Sequence, residues 1–233
     1  MLTKEDIVQA LKKYDSIKYS EEFYAYYLEK ISRAFEPNDQ LKDCVRYLIL
    51  WFLGKVTKER PDSFIERVYV NEKKFFILKT TPNNEKAIES ACDNINLWAA
   101  LSFKNNHLPF NNFIQYADTI TKNSIVLPSF YVHMFKPDEY PILNGKVWKV
   151  YIELMNKNVY INTKPAFWSH YHQYVNFCHY LEETLNLSLR EIDKGLWVLG
   201  DELKNKAREN EKNLIDNQYV IEGIFDEIKE QET

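Results

Sequence analysis

Two groups of residues have types and spacings that fit chemistry. In the first, His172, Asn176, His179 and Glu183 recur at i, i+4, i+7 and i+11, so they share one face of a helix beginning near Lys164. Two imidazoles and a carboxylate on one helix can join a metal site in a helix bundle. Such a site draws further ligands from a second helix, and no Glu-x-x-His or His-Glu-x-x-His stands elsewhere in the chain. A solvated polar face is the commoner use of this spacing, so no metal and no cofactor are expected.

In the second group, Lys146 and Lys149 follow Asn144, which reads as a helix start, and lie three residues apart beside Trp148. Ammonium groups near the free N–H groups of a helix N-terminus suit a phosphate. With the basic run extended upstream, Lys122, Lys136, Lys146, Trp148 and Lys149 are the expected nucleic-acid contacts. Keeping a surface helix soluble is the competing use of such lysines. Nucleophilic chemistry has little to stand on. Ser129 follows a proline in an apolar context with no Gly-x-Ser-x-Gly around it. Cys44, Cys92 and Cys178 sit on apolar helical stripes and read as buried free thiols of a reducing compartment. The acid pairs Asp138-Glu139 and Glu182-Glu183 are sequence neighbours, which reads as solvated turn or helix surface.

The elements that must position these residues are helical. The chain of 233 residues is 45% hydrophobic and 27% charged, the balance of an ordinary globular protein. It has only five glycines, none grouped into a phosphate loop or a dinucleotide fingerprint. The N-terminus lacks an apolar signal region, and no run reaches the roughly 18 apolar residues of a membrane span, so a cytoplasmic protein without membrane contact is expected. Net charge is −4, but residues 191–233 hold 12 acidic against 6 basic side chains, which leaves the remainder of the chain positive.

Capping boxes at Thr3/Asp6 and Ser188/Glu191 open the first helix and a late one. A stripe from Phe23 to Phe35, stopped by Pro37, marks a second helix, and Leu41 to Phe52 marks a third that is apolar nearly all round. Asn84 is expected to cap one long helix through Ala87, Ala91, Ile95, Trp98 and Leu101. Residues 61–82 fit either a β-hairpin near 68–78 or two short helices; the marginal stability of an isolated hairpin favours the helices. The expected architecture is all-α: residues 1–212 as one compact multi-helix globular domain, and 213–233 as an acidic amphipathic helix packed on it or used for a protein partner.

The stretch Pro141-Ile-Leu-Asn144-Gly-Lys-Val147-Trp-Lys-Val150 resembles the Pro-Val-Val-Asp-x-x-Val-x-Arg-Val segment of the helix-hairpin-helix DNA glycosylases, the superfamily that includes 8-oxoguanine glycosylase. Ser129 to Pro137 and Leu189 to Gly200 likewise resemble a bacterial group with 8-oxoguanine-glycosylase-like folds. Together these matches cover about a third of the chain. The resemblance implies a helical glycosylase-like fold with Asn144 at the place of the catalytic carboxylate. An amide there cannot carry the charge. The family's Leu-Pro-Gly-x-Gly hairpin corresponds to Leu127-Pro-Ser-Phe-Tyr131, without its glycines, and its lysine position holds His133 or Phe130 according to register. The resemblance therefore implies a non-catalytic module that binds DNA through the 122–149 surface or serves in an assembly. Two alternatives accompany it. One is a base-excision-type enzyme with an atypical site around Asn144, Asp138 and His133. The other is a helical subunit of a bacterial defence or regulatory complex that engages a protein through its acidic tail.

Overall fold

The structure, a computed structural model, describes residues 2–16, 21–122, 124–155 and 165–205. The expected helix at 213–233 lies outside them. The chain opens with α1 (Lys4–Ser16), α2 (Glu21–Ser32) and α3 (Asp39–Phe52). Strands β1 (Val56–Thr57), β2 (Glu66–Val70) and β3 (Lys73–Ile77) follow, then α4 (Pro82–Ala91), α5 (Asn94–Lys104) and α6 (Phe110–Ala117). Next come α7 (Val126–Phe135), α8 (Gly145–Leu154) and α9 (Trp168–Leu185). A tenth helix, α10, begins at residue 189 and reaches 205. The fold is mainly helical, with one small antiparallel sheet.

Local chemistry sets most of the helix starts. In α1 the Thr3 hydroxyl accepts from the Asp6 N–H at 3.2 Å while the Thr3 N–H donates to the Asp6 carboxylate at 2.9 Å. Ser188 and Glu191 repeat the arrangement at α10, at 3.3 and 2.8 Å. Asn38 caps α3 by accepting from the Leu41 N–H at 2.9 Å. At the other end of α2, Lys104 Nζ donates to the carbonyls of Ile31, Ser32 and Ala34. This cation sits on the carbonyls where α2 ends at Ser32, short of the expected Phe35, which stands 81% exposed.

Two expectations are overturned here. Of the two readings of segment 61–82, the β-hairpin near 68–78 holds and the favoured pair of helices fails. β2 and β3 pair from Glu66↔Ile77 to Val70↔Lys73, and β1 adds to the far side of β3 through Val56↔Ile77. Asn71 and Glu72, at φ 47° and 67°, form the left-handed two-residue turn that matches strand twist. The hairpin is stable because it is not isolated. Its Val68, Val70, Phe75 and Ile77 are buried, and the Phe75 ring sits 5.1 Å from that of Phe23 on α2. Nor does Asn84 cap one long helix. Thr81 caps α4 by accepting from the Asn84 N–H, with Pro82 in the first turn. The chain then breaks at Cys92, and Asp93 caps α5 through the Ile95 N–H at 2.8 Å. The break leaves Ile95 and Trp98 at 68% and 56% exposure, where an unbroken stripe would have buried them.

The core centres on α7, where every residue from Leu127 to Phe135 is buried. Pro128 is tolerated because it lies in the first turn. The Ser129 hydroxyl is fully buried and donates to the Val126 carbonyl at 2.9 Å, a structural bond rather than a poised nucleophile. Burial pushes the Cys44 and Cys92 thiols up to about 11 and Cys178 well above its ordinary value, away from thiolate reactivity. No helix among the described residues is long and apolar enough to cross a membrane.

Candidate functional site

A cleft of about 560 Å³ opens where the start of α8 faces α10. The loop entering α8 is held on three sides. His133 on α7 meets the Tyr140 carbonyl through Nδ1 at 2.6 Å, the Tyr171 hydroxyl donates to the Pro141 carbonyl at 3.0 Å, and the Ile142 N–H donates to Asp193 Oδ2 at 2.9 Å. Three consecutive residues of a buried loop thus have their polar backbone satisfied by side chains from α7, α9 and α10. A carbonyl only accepts, so Nδ1 of His133 carries the proton, and Nε2 accepts from the Tyr24 hydroxyl at 2.6 Å. Burial drives the His133 pKa down to about 3, which keeps the ring neutral.

Asn144 then caps α8, its Oδ1 accepting from the N–H groups of Lys146 at 2.8 Å and Val147 at 3.3 Å. Those are the donors that a phosphate would use at this helix start. The expected capture of an anion by the helix N-terminus is therefore pre-empted by the cap itself.

The opposite wall is one face of α10: Arg190, Asp193, Lys194, Trp197, Gly200 and Lys204, at helical spacing. Gly200 lets the two helices touch, because a Cβ there would stand 2.6 Å from the Lys146 carbonyl oxygen. Next to it Lys146 Nζ pairs with Asp201 at 2.7 Å and lies 3.8 Å from the centre of the Trp197 ring. Arg190 forks onto Glu21 with contacts of 2.8 to 3.1 Å and covers the Tyr24 ring at 4.5 Å. Lys194 reaches the same carboxylate at 3.1 Å. Partial burial raises the Glu21 pKa, but Arg190 and Lys194 outweigh it and hold the carboxyl below its usual range.

Asp193 differs from these paired groups. It is 3% exposed and the only buried acid among the described residues. Its Oδ1 has no close hydrogen-bond partner among them. Burial pushes its pKa up to about 7, against the pull of Arg190, the Ile142 N–H and the Tyr174 hydroxyl. Protonated, it can donate a hydrogen bond; ionised, it accepts. Around this floor the cleft carries the cations of Lys146, Lys149, Arg190, Lys194 and Lys204 and apolar surface from Phe52 and Trp197. Lys149 and Lys204 are exposed and have no ion pair among the described residues.

The stretch 122–149 does not form one basic face. Lys146 and Lys149 line the cleft, while Lys122 is exposed on the turn before α7. Lys136 is committed elsewhere. Its ammonium pairs with Glu139 at 2.9 Å and lies 5.0 Å from the Phe103 ring centre. Trp148 is 1% exposed and packs on Tyr151 and His170, so it is core and cannot stack on a base. The trio Asn144, Asp138 and His133 is not assembled into a site either. Asp138 is exposed in a separate depression beside Lys136, and His133 is buried with both ring nitrogens bonded. On α9, His172 is exposed against Phe110, whereas His179 bonds Glu182 and the Glu139 carbonyl. No cluster of three metal-ligating side chains occurs among the described residues. The α10 wall falls in the Leu189–Gly200 stretch that carries part of the resemblance, but none of Arg190, Asp193, Lys194, Trp197 and Gly200 is among the expected site residues, although they carry a 3.6-residue period in the sequence.

No family model, curated protein or solved structure matches the chain. The likeness to the helix-hairpin-helix glycosylases rests on the residues already quoted.

Proposed function

We propose that this protein is a non-catalytic nucleic-acid-binding module and that its contact surface is the cleft between α8 and α10, in place of the whole 122–149 stretch. One observation carries the reading: five cationic side chains and the Trp197 and Phe52 rings surround a single cleft about 560 Å³ in volume. Cations supply the sequence-independent attraction to phosphates, and aromatic faces accept unstacked bases. The glycosylase-like sequence around Asn144 supports the same ligand class. Base excision requires a charged acid where Asn144 stands, and this amide is already committed to its cap.

The test is binding of a fluorescein-labelled single-stranded oligonucleotide across a salt series, by anisotropy. Lys149→Ala/Lys204→Ala is the informative variant, because neither lysine forms an ion pair among the described residues. Affinity should fall as salt rises. Each phosphate neutralised on a single strand adds roughly 0.7 to the slope of log K against log salt, so removing two lysines should lower that slope by up to about 1.4. Salt-independent binding, or an unchanged slope in the variant, refutes the proposal.

A further inference from the structure

We propose that residues 213–233 of this chain bind back into the cleft between α8 and α10 and compete there with nucleic acid. The cleft presents a cationic rim over a floor that carries the Phe52 and Trp197 rings beside the buried Asp193. Lys149 and Lys204 lie on that rim without carboxylate partners among the described residues. Burial of Phe52 and Trp197 is also incomplete there. The segment 213–233 has the opposite character. It carries Asp216, Glu222, Asp226, Glu227, Glu230 and Glu232 against the single cation of Lys229, interleaved with Tyr219, Val220, Ile224, Phe225 and Ile228. Carboxylates spaced among apolar residues suit a site with cations at its edge and rings at its base.

Continuity of the chain strengthens the match. Lys204, one residue before the end of the described part of α10, lines the cleft, so the described chain ends at its rim. Only residues 206–212 separate that rim from the segment, and seven residues reach at most roughly 25 Å. A tether of this length presents the segment at an effective concentration on the order of 1 mM. An intrinsic affinity of only about 0.1 mM would then weaken a competing ligand about tenfold. The contact does not depend on the nucleic-acid reading, since the charge and shape of the cleft act on any acidic, apolar segment.

The test uses the full chain with Tyr219→p-benzoylphenylalanine, irradiated and mapped by mass spectrometry in a mixture of isotope-labelled and unlabelled protein. Cross-links should form within single chains and fall in residues 142–149 or 190–204. A second variant, Glu222→Gln/Asp226→Asn/Glu227→Gln/Glu230→Gln, should bind the single-stranded oligonucleotide about tenfold more tightly than the parent. No cross-link into the cleft, or cross-links only between chains, overturns the proposal; so does an oligonucleotide affinity equal in variant and parent. Intrachain cross-links with no oligonucleotide binding in either protein would sink the nucleic-acid reading and leave the docked segment standing. Oligonucleotide binding without the cross-link would do the reverse.

Discussion

Replacing Asp193 by Asn should change stability little at pH 4 and make the protein increasingly more stable than the parent from pH 5 to pH 8. The carboxyl is buried, its pKa is raised from an ordinary 3.8 to about 7, and Oδ1 lacks a close partner among the described residues. Between those two values the native state holds the proton more strongly than the unfolded chain does. Stability from this group is thus fully present below about pH 4 and is lost as pH rises through about 7. A shift of roughly three units at about 1.4 kcal/mol each sets an upper bound near 4 kcal/mol. In Asp193→Asn the amide oxygen can accept from the Ile142 N–H as Oδ2 does, and the amide nitrogen takes the place of the protonated oxygen.

His133 acts in the opposite sense over a similar window. Its pKa is depressed to about 3, so its contribution is present above the unfolded value near 6.5 and is lost as pH falls. The difference between variant and parent, rather than the parent curve, therefore isolates Asp193. The assay is urea unfolding of both proteins at pH 5, 6, 7 and 8, followed by tryptophan fluorescence with the m-value monitored. The difference in unfolding free energy should grow in the variant's favour by roughly 2 to 3 kcal/mol from pH 5 to 8, the rest of the effect falling between pH 4 and 5. A constant difference across pH would show that the carboxyl does not titrate there. A variant less stable by several kcal/mol at pH 8 would show an ionised Asp193 that Arg190 stabilises, and would refute the reasoning.

Two further substitutions test how the cleft is built. Gly200→Ala places a Cβ 2.6 Å from the Lys146 carbonyl oxygen, a backbone atom, and should cost about 1–3 kcal/mol in urea unfolding, whereas Gly145→Ala meets nothing within 4 Å and should cost less than half as much. Tyr24→Phe removes the hydroxyl that donates to His133 Nε2 and leaves a buried acceptor unpaired, which should cost about 1–3 kcal/mol. In the same variant the His133 Nδ1–H···Tyr140 bond should survive, and its exchange-protected proton should remain visible by NMR.

Legibility follows the range of the interactions. Thr3/Asp6, Ser188/Glu191 and Asn38 declare their helix starts because a cap is settled within three residues. The turn at Asn71-Glu72 also carries a local signal, Asn at a left-handed position beside the alternation Val68-Tyr69-Val70. That signal is outweighed only if the hairpin is solitary, and Phe23 and β1 support it. The break at Cys92 is concealed because Ala91, Ile95 and Trp98 continue the apolar period across it. Trp148 illustrates the opposite error. Placed between two lysines it reads as a ring available for stacking, yet Tyr151 and His170 enclose it.

The amino-acid sequence by itself determined the helical class, the capping boxes at Thr3 and Ser188 and the special position of Asn144 at the head of α8, since each depends on neighbours a few residues apart. Tertiary structure decided which groups share a site. The Asp193–Ile142 bond, the Gly200–Lys146 contact and the Arg190–Glu21 fork join residues 51, 54 and 169 positions apart. Pairing over such separations depends on how helices pack in space, and the local pattern that shapes each helix does not encode it.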